Sequence, residues 1–421
     1  MILLTLLIFS LIVSRAYTKN LRRSVENAPR TDRSLAKLSP ESTAQFPKVS
    51  VIVPAYNEAE NIRDCAIAIL ESTPLSVGNL EVLIVDDRST DDTKAIGQTL
   101  QQHLNDPRLK ILAGQPRPTN QYWAGKNWAC AQAVQIATGD FLLFIDADVR
   151  LKPGAIETAI ATAETEKIDL FTCMPALVCE CFAEWLVQPI MFNNLALCFD
   201  FTAVNDPSKT DSAFAAGPFM LFRRSAYEKI GGHEAVASEI VEDVELARRI
   251  KRAGLKLGLY SGSNLASVQM YRSWSALWEG WTKNLYLGAN RSWGMMVYMA
   301  TIMLFLYPMP WLALGILLAN GGFTEILTIT NYQLPITNYQ LPITNYQLPI
   351  TWLTICLSVI VIWQHYNLRR LGAEISECPT KYWWLGGFGG ALVAAMAIGS
   401  AIKTETGWGW TWRGRTLQIK S

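Results

Sequence analysis

Two aspartates lie two residues apart, directly after a short apolar stretch. Asp146 and Asp148 follow Phe141–Ile145. Side chains two apart on an extended chain point the same way, so both carboxylates can face one ligand. Carboxylate oxygens suit hard divalent cations, and a bound cation can neutralise a departing diphosphate. The pair predicts a divalent-metal site, and a plain polar turn after a buried strand is the alternative interpretation.

A second acidic pair ends another predicted strand. Asp86 and Asp87 follow the stretch at 80–85, where a carboxylate can accept hydrogen bonds from a nucleobase or a ribose. Nearby Ser and Asp residues suit the cap of the next helix, but capping does not require both aspartates at the strand end. The pair therefore predicts a ligand-binding role at this position.

Two predicted helices begin with groups that can bind phosphate or move a proton. Lys126 lies in the first turn of one helix, where the N-terminus favours phosphate. The other begins with Glu242, Asp243 and Glu245 and ends in basic residues, an order that the helix dipole favours by itself. At such a helix start Asp243 can also act as a general base. Structural and catalytic roles are both open for these acids.

The elements that must position these residues alternate between strands and helices. This alternation predicts an α/β fold with a mostly parallel sheet. Ligands of such sheets bind beyond the carboxyl ends of the strands, which is where the acidic pairs lie. The predicted strands are 49–53, 80–85 and 141–145, and the predicted helices are 58–71, 91–103 and 125–137.

Apolar, uncharged stretches lie at both ends of the chain, and only 17% of the residues are charged. Such stretches predict a multi-pass integral membrane protein in contact with the bilayer, with the catalytic domain facing the cytoplasm because basic residues follow the first stretch. The predicted organisation is a membrane anchor at 1–14, a basic linker at 15–45, a catalytic domain at 46–290, transmembrane helices at 295–319, 350–366 and 382–402, and an interfacial tail at 403–421.

A perfect seven-residue repeat lies between two of the predicted transmembrane helices. Ile-Thr-Asn-Tyr-Gln-Leu-Pro occurs three times over residues 329–349. A proline in every copy forbids a continuous helix, so we predict a tolerant loop over 320–349. We assign this loop no function.

Charge and cysteine content argue against two other classes of protein. The formal net charge is +1, so the sequence predicts no nucleic-acid partner. The eight cysteines are too few for a disulfide scaffold, and their spacing does not match a zinc site.

The motifs, taken in order, resemble those of the family 2 glycosyltransferases with the GT-A fold. The resemblance covers about residues 48–290, and in layout the C-terminal membrane segments as well. Residues 49–58, Val-Ser-Val-Ile-Val-Pro-Ala-Tyr-Asn-Glu, resemble the family's opening strand. The other matching motifs are Asp86-Asp87, Gly125-Lys126, Asp146-Ala-Asp148 and Glu242-Asp243.

This resemblance implies an inverting transfer from a nucleotide sugar, with UDP-glucose as the expected donor. It implies Mg²⁺ or Mn²⁺ at Asp148 with Asp146 assisting, and Asp243 as the general base. The donor-binding residues that it implies are Pro54, Tyr56, Glu58, Asp86, Asp87, Lys126 and Asp146.

Two further stretches are similar to the lipid-glycosylating branch, which includes ceramide, hopanoid-associated and carotenoid glycosyltransferases. They are residues 217–233 and the Trp-Arg-Gly-Arg sequence at 412–415. Residues 269–274 resemble the Gln-x-x-Arg-Trp element of membrane-embedded members, with one extra residue before the tryptophan. The resemblance implies a membrane-lipid acceptor, and on the acceptor or product side it places Gly217, His233, Glu242, Gln269, Arg272 and Trp274. A structural histidine is the alternative for His233.

Three other functions stay open on the sequence alone. A polyprenyl-phosphate sugar transferase and a polysaccharide synthase share the same catalytic motifs. The few apolar segments and the altered element at 269–274 argue against the synthase. A membrane scaffold with an inactive nucleotide-sugar pocket is the non-enzymatic alternative, and the presence of all the expected acids argues against it.

Overall fold

A computed structural model describes residues 2–36, 46–119, 121–319 and 347–417 of the chain. Within these residues a mixed α/β domain is followed by a group of long helices, against which the N-terminal helix also packs. The strands are β1 (Val49–Ala55), β2 (Leu80–Asp86), β3 (Leu109–Ala113), β4 (Phe141–Phe144), β5 (Val149–Leu151), β6 (Leu170–Met174), β7 (Ala176–Leu177), β8 (Met220–Arg223), β9 (Leu257–Ser261), β10 (Ala266–Val268), β11 (Thr411–Trp412) and β12 (Arg415–Thr416).

The described helices range from 5 to 30 residues in length. Short 3₁₀ turns at Arg33–Ala36, Glu234–Val236 and Trp383–Leu385 lie between them. The helices are α1 (Ile2–Glu26), α2 (Ile62–Glu71), α3 (Thr93–Leu104), α4 (Gly125–Ile136), α5 (Ala155–Thr165), α6 (Phe182–Cys198), α7 (Phe201–Asn205), α8 (Arg224–Lys229), α9 (Glu242–Arg252), α10 (Trp274–Gly288), α11 (Trp293–Leu306), α12 (Pro308–Ala319), α13 (Gln347–Ser376) and α14 (Gly386–Thr406).

The central sheet has the strand order β3-β2-β1-β4-β8-β6-β9. Strand β8 runs antiparallel to both of its neighbours, and the other adjacent pairs are parallel. Strands β2 and β4 are buried along their whole length because helices cover both faces of the sheet. The predicted α/β fold with a mostly parallel sheet is confirmed. A smaller sheet, β5-β10-β7, flanks it.

Helix α1 continues past the predicted end of the membrane anchor at residue 14. It reaches Glu26, so the first part of the predicted basic linker is helical. One side of the helix packs on the rest of the protein, where Leu7 and Leu21 are fully buried and the Tyr17 hydroxyl donates to Asn194 at 2.7 Å. This packing explains why the helix does not end with its apolar stretch. Residues 37–45 of the predicted linker lie outside the described residues.

Two of the described helices are long and apolar enough to cross a membrane, Ile2–Glu26 and Trp383–Thr406. The predicted span at 295–319 is instead two helices, α11 and α12, bent by 44° at Tyr307, and it counts as a third crossing only if the pair forms one span. The bend precedes Pro308, whose ring cannot continue a regular helix. The predicted span at 350–366 lies within α13, which is not among these candidates.

Close packing around α14 depends on its glycines. A side chain at Gly390 would collide with the ring of Tyr307, and one at Gly389 would collide with the main chain at Leu186. Small residues of this kind allow helices to approach closely in a membrane. The helix therefore ties the bent pair of helices to α6 of the catalytic domain.

Two predicted segments next to the long helices need comment. The repeat at 329–349 lies outside the described residues up to residue 346, and residues 347–349 form the first turn of α13. The predicted interfacial tail at 403–421 instead begins with the end of α14 and continues into the hairpin β11–β12, in which Trp410 is buried. This hairpin contacts the α/β domain, where its two arginines pair with Glu58 and Asp87.

Candidate active site

The parallel register of the sheet brings the acidic motifs to one edge. Ala55 at the end of β1 pairs with Asp86 at the end of β2, and the Asp87 N–H donates to the Ala55 carbonyl at 2.7 Å. Strand β4 lies on the other side of β1 and ends just before Asp146. The predicted acidic pairs thus lie side by side at the carboxyl edge.

Lys126 forms ion pairs with residues of two other predicted motifs. It lies in the first turn of α4, and its Nζ is 2.7 Å from Asp146 Oδ1 and 2.8 Å from Glu242 Oε1. Burial lowers the pKa of this lysine, but the carboxylates of Asp146, Glu242 and Asp243 raise it further, and the result is well above the ordinary value. Lys126 is therefore a fixed positive charge at the centre of the site.

Asp243 has no cation in direct hydrogen-bond contact among the described residues. Its carboxylate accepts hydrogen bonds from the main-chain N–H groups of Gly217, at 3.0 Å, and Val244, at 2.8 Å. Burial, together with the neighbouring Glu242 carboxylate, raises the pKa of Asp243 to about 7. A carboxyl group with this pKa can take up a proton near neutral pH, as a general base must.

Gly217 is required next to this carboxylate. A Cβ atom at position 217 would lie 2.9 Å from Asp243 Oδ2 and 3.2 Å from Lys126 Nζ. Any side chain here would push one of these groups away, so the main chain can approach the Asp243 carboxylate only as glycine.

The predicted metal pair has one atom that the protein leaves unsatisfied. Asp148 Oδ1 is buried and has no hydrogen-bond partner among the described residues. Burial, with Asp146 and Glu58 nearby, raises the pKa of Asp148 well above its usual range. Both observations fit a site that binds a cation.

No group of three or more His, Cys, Asp or Glu side chains suited to a metal ion occurs in the part of the chain that the structure describes. Two carboxylates nevertheless suffice for Mg²⁺ when phosphate oxygens and water complete its shell. Asp146 and Asp148 therefore fit a divalent cation that binds together with a phosphate ligand.

On the donor side, arginines pair with the predicted carboxylates. Glu58 Oε1 lies 2.7 Å from Arg413 Nη1. Burial raises the pKa of Glu58, and Arg413 partly offsets this. Asp87 Oδ2 accepts from Arg117 Nη2 at 3.0 Å and also from Arg415.

The remaining predicted donor residues lie beside these pairs. Arg415 covers the ring of Tyr56, with its guanidinium carbon 3.2 Å from the ring centroid. Asp86 accepts from the Ser89 N–H at 3.2 Å, and Pro54 lies within strand β1. The predicted donor residues therefore share one edge of the sheet.

His233 packs in the core against strand β4. It is fully buried, its Nδ1 lies 2.8 Å from the Tyr227 hydroxyl, and its ring packs on Phe144. Burial lowers the pKa of His233 to about 3, so the ring is neutral. These contacts favour the structural alternative for His233, and its place on the acceptor side stays a prediction.

Gln269, Arg272 and Trp274 form an outer layer. Gln269 donates to Glu180 at 2.8 Å, and Trp274 is exposed at the start of α10. Arg272 donates to Asn61 at 3.0 Å, and Asn61 in turn donates to Glu58 at 2.9 Å. Arg272 therefore reaches the site through Asn61.

Sequence reasoning missed three basic residues at the site, Lys283, Arg413 and Arg415. Burial lowers the pKa of Lys283 to about 8, and its Nζ lies 3.9 Å from the ring centroid of Trp412. The sequence does contain a signal for the turn that carries the two arginines, because a glycine between β-forming residues is typical of a hairpin turn. In the structure Arg413 and Gly414 both adopt positive φ, as such a turn requires.

Comparison with known proteins places these residues in a family. The family described as Glycosyl transferase family 2 matches residues 50–231, and Glycosyl transferase family group 2 matches residues 141–397. The 4,4'-diaponeurosporenoate glycosyltransferases of Staphylococcus haemolyticus and Staphylococcus aureus (strain USA300) are both 27% identical to this chain, over 245 and 249 residues. Each match covers 58% of this chain and 62% of the relative, so the chain spans less than two thirds of the relatives' length.

Solved structures also resemble the chain. A mannosyltransferase from Pyrobaculum calidifontis, in complex with GDP-Man and Mn²⁺, aligns over 95% of this chain and 98% of its own, with 16% identity and a TM-score of 0.49. Glucosyl-3-phosphoglycerate synthase from Mycobacterium tuberculosis, with Mn²⁺ and UDP, aligns over 56% and 77%, with 17% identity and a TM-score of 0.37. Because the second family match spans more than half of the chain, this protein belongs to glycosyl transferase family group 2.

Proposed function

We propose that this protein is an inverting glycosyltransferase of the GT-A type, which moves a sugar from a nucleotide-sugar donor to an oxygen of a membrane lipid. One observation carries the proposal. Asp243, a half-buried residue whose carboxyl pKa is about 7, lies beside a cluster in which Lys126 bridges Asp146 and Glu242. A proton acceptor next to a phosphate-binding group is what a one-step displacement from a sugar diphosphate needs.

The donor side supplies binding and charge. Lys126 is placed to contact a phosphate oxygen, since it lies at a helix N-terminus that favours anions. Asp146 and Asp148 would hold Mg²⁺ or Mn²⁺. When bound, such an ion supplies positive charge that stabilises the leaving diphosphate. The expected donor is UDP-glucose.

The base side supplies the proton acceptor. Asp243 accepts the proton of an acceptor hydroxyl while that oxygen forms its bond to the anomeric carbon and the bond to the diphosphate breaks. The main-chain N–H groups of Gly217 and Val244 hold the carboxylate in place for this step. Attack on the face opposite the leaving group inverts the configuration, and no covalent nucleophile is needed.

The acceptor is a membrane lipid of sphingolipid, hopanoid or carotenoid type. The 27% identical staphylococcal relatives are named for a carotenoid carboxylate, which favours a carotenoid-like molecule here. A carboxylate acceptor is already ionised and needs no base. The environment of Asp243 favours a hydroxyl acceptor, and a carotenoid carboxylate is the second candidate.

The membrane arrangement that we propose places the catalytic domain in the cytoplasm. Helix α1 can span the membrane, and its exposed Arg15, Lys19 and Arg22 follow the apolar half. Basic residues next to a span favour the cytoplasmic side. In this arrangement the α/β domain follows the span on the cytoplasmic side, where it can reach a lipid acceptor in the membrane.

The test is transfer in membranes that contain the full chain. Radiolabelled UDP-glucose and GDP-mannose are supplied with Mn²⁺, and the extracted lipids are separated and analysed by mass spectrometry. We expect label in a neutral glycolipid with wild type and with Arg252→Ala, an exposed arginine far along α9, and no label with Lys126→Ala.

Other outcomes select the alternatives. Label in an acid-labile lipid phosphate indicates a polyprenyl-phosphate sugar transferase, and label in a water-soluble polymer indicates a polysaccharide synthase. Nucleotide binding without any transfer indicates a scaffold. Each of these results would overturn the proposed lipid glycosylation.

A further inference from the structure

We propose that the C-terminal hairpin, residues 411–416, is a strap that closes over the donor, with Arg413 as a ligand of the donor diphosphate and Arg415 as the latch that holds the strap down. This inference rests on the proposed function, because it assumes a nucleotide-sugar donor. It adds residues from the far end of the chain to the binding site. It also explains why a segment directly after a membrane helix carries two arginines.

The hairpin is anchored on α10. The Arg413 N–H donates to Glu279 Oε2 at 3.1 Å, and Trp410 at the base of the hairpin is buried. The Trp412 ring lies between Lys283, at 3.9 Å, and Arg413, whose guanidinium carbon is 5.4 Å from the ring centroid. These contacts fix the direction of the Arg413 side chain.

Arg413 points into the site with part of its donor set unused. Its Nη1 contacts Glu58 at 2.7 Å, the Asn57 carbonyl at 2.6 Å and the Tyr56 carbonyl at 3.2 Å. Its Nη2 and Nε have no hydrogen-bond partner among the described residues. A guanidinium presents five N–H donors in a planar fork that suits phosphate oxygens. The free side of this fork is therefore available to a diphosphate.

Arg413 and Lys126 contact the same group of carboxylates from two different elements. Arg413 Nη1 lies 2.7 Å from Glu58 Oε1, and Lys126 Nζ lies 2.7 Å from Asp146 Oδ1. Burial lowers the pKa of Arg413, but Glu58, together with Asp148 and Asp146, raises it above the ordinary value. Both cations therefore remain charged beside the carboxylates at which the diphosphate is proposed to bind.

Arg415 performs the second task, holding the hairpin on the sheet edge. Its guanidinium covers the Tyr56 ring and donates to the Asp87 carboxylate and to the Asp87 and Arg88 carbonyls. These contacts saturate most of its donors, in contrast to Arg413. Arg415 therefore closes the hairpin and leaves the diphosphate to Arg413.

The charge balance of the site requires these cations. Six carboxylates meet at the site, and a nucleoside diphosphate adds further negative charge. Without the hairpin, Glu58 would lose its arginine and Asp87 would keep only Arg117. An anionic donor would then approach a cleft with more unpaired negative charge, which is unfavourable. The carboxylates of the site are Glu58, Asp87, Asp146, Asp148, Glu242 and Asp243.

The test is direct binding of UDP and of GDP, with Mn²⁺, to the purified full chain by calorimetry. Arg413→Ala should weaken binding of the preferred nucleotide about 10- to 100-fold, because a charge-assisted hydrogen bond to phosphate is lost. Arg413→Lys should recover part of this loss, since it restores the charge without the fork. Arg415→Ala should weaken binding less, and Arg252→Ala should bind as wild type.

The outcomes separate this inference from the proposed function. If wild type binds a nucleotide and Lys126→Ala loses it while Arg413→Ala binds normally, the strap proposal is wrong and the donor site stands. If Arg413→Ala binds more tightly, the hairpin is a plug that competes with the donor, which also overturns the proposal. If wild type binds neither nucleotide, the proposed function itself is wrong. Melting temperatures of all variants identify any that fail to fold.

Discussion

The two sides of the site hold their carboxylates in different ways. On the base side, main-chain N–H groups of Gly217 and Val244 hold Asp243. On the donor side, Glu58 and Asp87 each pair with an arginine from the C-terminal hairpin. A main-chain N–H carries only a partial charge, so Asp243 keeps a high affinity for a proton, whereas a guanidinium brings a full positive charge. One side is thus suited to proton exchange and the other to binding an anion.

The largest expected effect comes from removing the proton acceptor. Asp243→Asn keeps the size of the side chain but cannot accept the proton, so turnover should fall about 10²- to 10⁴-fold. Nucleotide affinity should change little because the donor contacts belong to the other side of the site. Steady-state kinetics and calorimetry on the same preparation measure both quantities. Normal turnover in this variant would favour a carboxylate acceptor, which needs no base.

The next largest loss of turnover should come from displacing the Asp243 carboxylate without changing its chemistry. Gly217→Ala would place a Cβ atom 2.9 Å from Asp243 Oδ2, so the carboxylate must shift. Because a misplacement of about 1 Å can reduce turnover about 100-fold, we expect a loss of up to that order. Gly288→Ala is the matched control, since nothing lies within 4 Å of a Cβ atom there. Equal turnover in the two variants would show that the position of Asp243 is not critical.

The difference between the sides also explains what could be predicted from sequence. Strand ends and helix starts are local signals, so Asp86, Asp146, Lys126 and Asp243 could be located by pattern. The contacts of Arg415 with Asp87 join residues 328 positions apart, and no local pattern links them. The tail was predicted to be interfacial because Trp and Arg next to a membrane helix are typical of that environment.

The same distinction between local patterns and distant contacts applies to the fold. Alternating strands and helices predicted the sheet, and its antiparallel strand β8 had no distinct signal of its own. The bend at Tyr307 and the length of α1 depend on packing between helices that are distant in sequence. Uncharged stretches therefore indicate where helices lie, whereas tertiary contacts decide where these helices bend and end.

A smaller and gradual loss of transfer activity is expected as the pH falls. The base must be ionised, so transfer should fall as pH drops through about 7, the pKa of Asp243, and reach about a tenth of its plateau one pH unit below. His233 cannot cause this step because burial lowers its pKa to about 3. The residual activity of Asp243→Asn should lack the step. A wild-type profile that stays flat between pH 6 and 8 would contradict the assignment of the base.

The smallest effect should come from the other acid at the same helix start. Glu245 faces away from the site and pairs with three arginines of its own helix, Arg248, Arg249 and Arg252. Surface pairs of this kind contribute about 0–1 kcal/mol, so Glu245→Gln should lower stability by no more than that and leave turnover within about twofold. Glu242→Gln, one turn from Glu245 but in contact with Lys126 at 2.8 Å, should lower turnover more. Thermal unfolding and steady-state kinetics of the two variants measure these effects on stability and turnover. A larger loss of turnover in Glu245→Gln than in Glu242→Gln would contradict this assignment of the two acids.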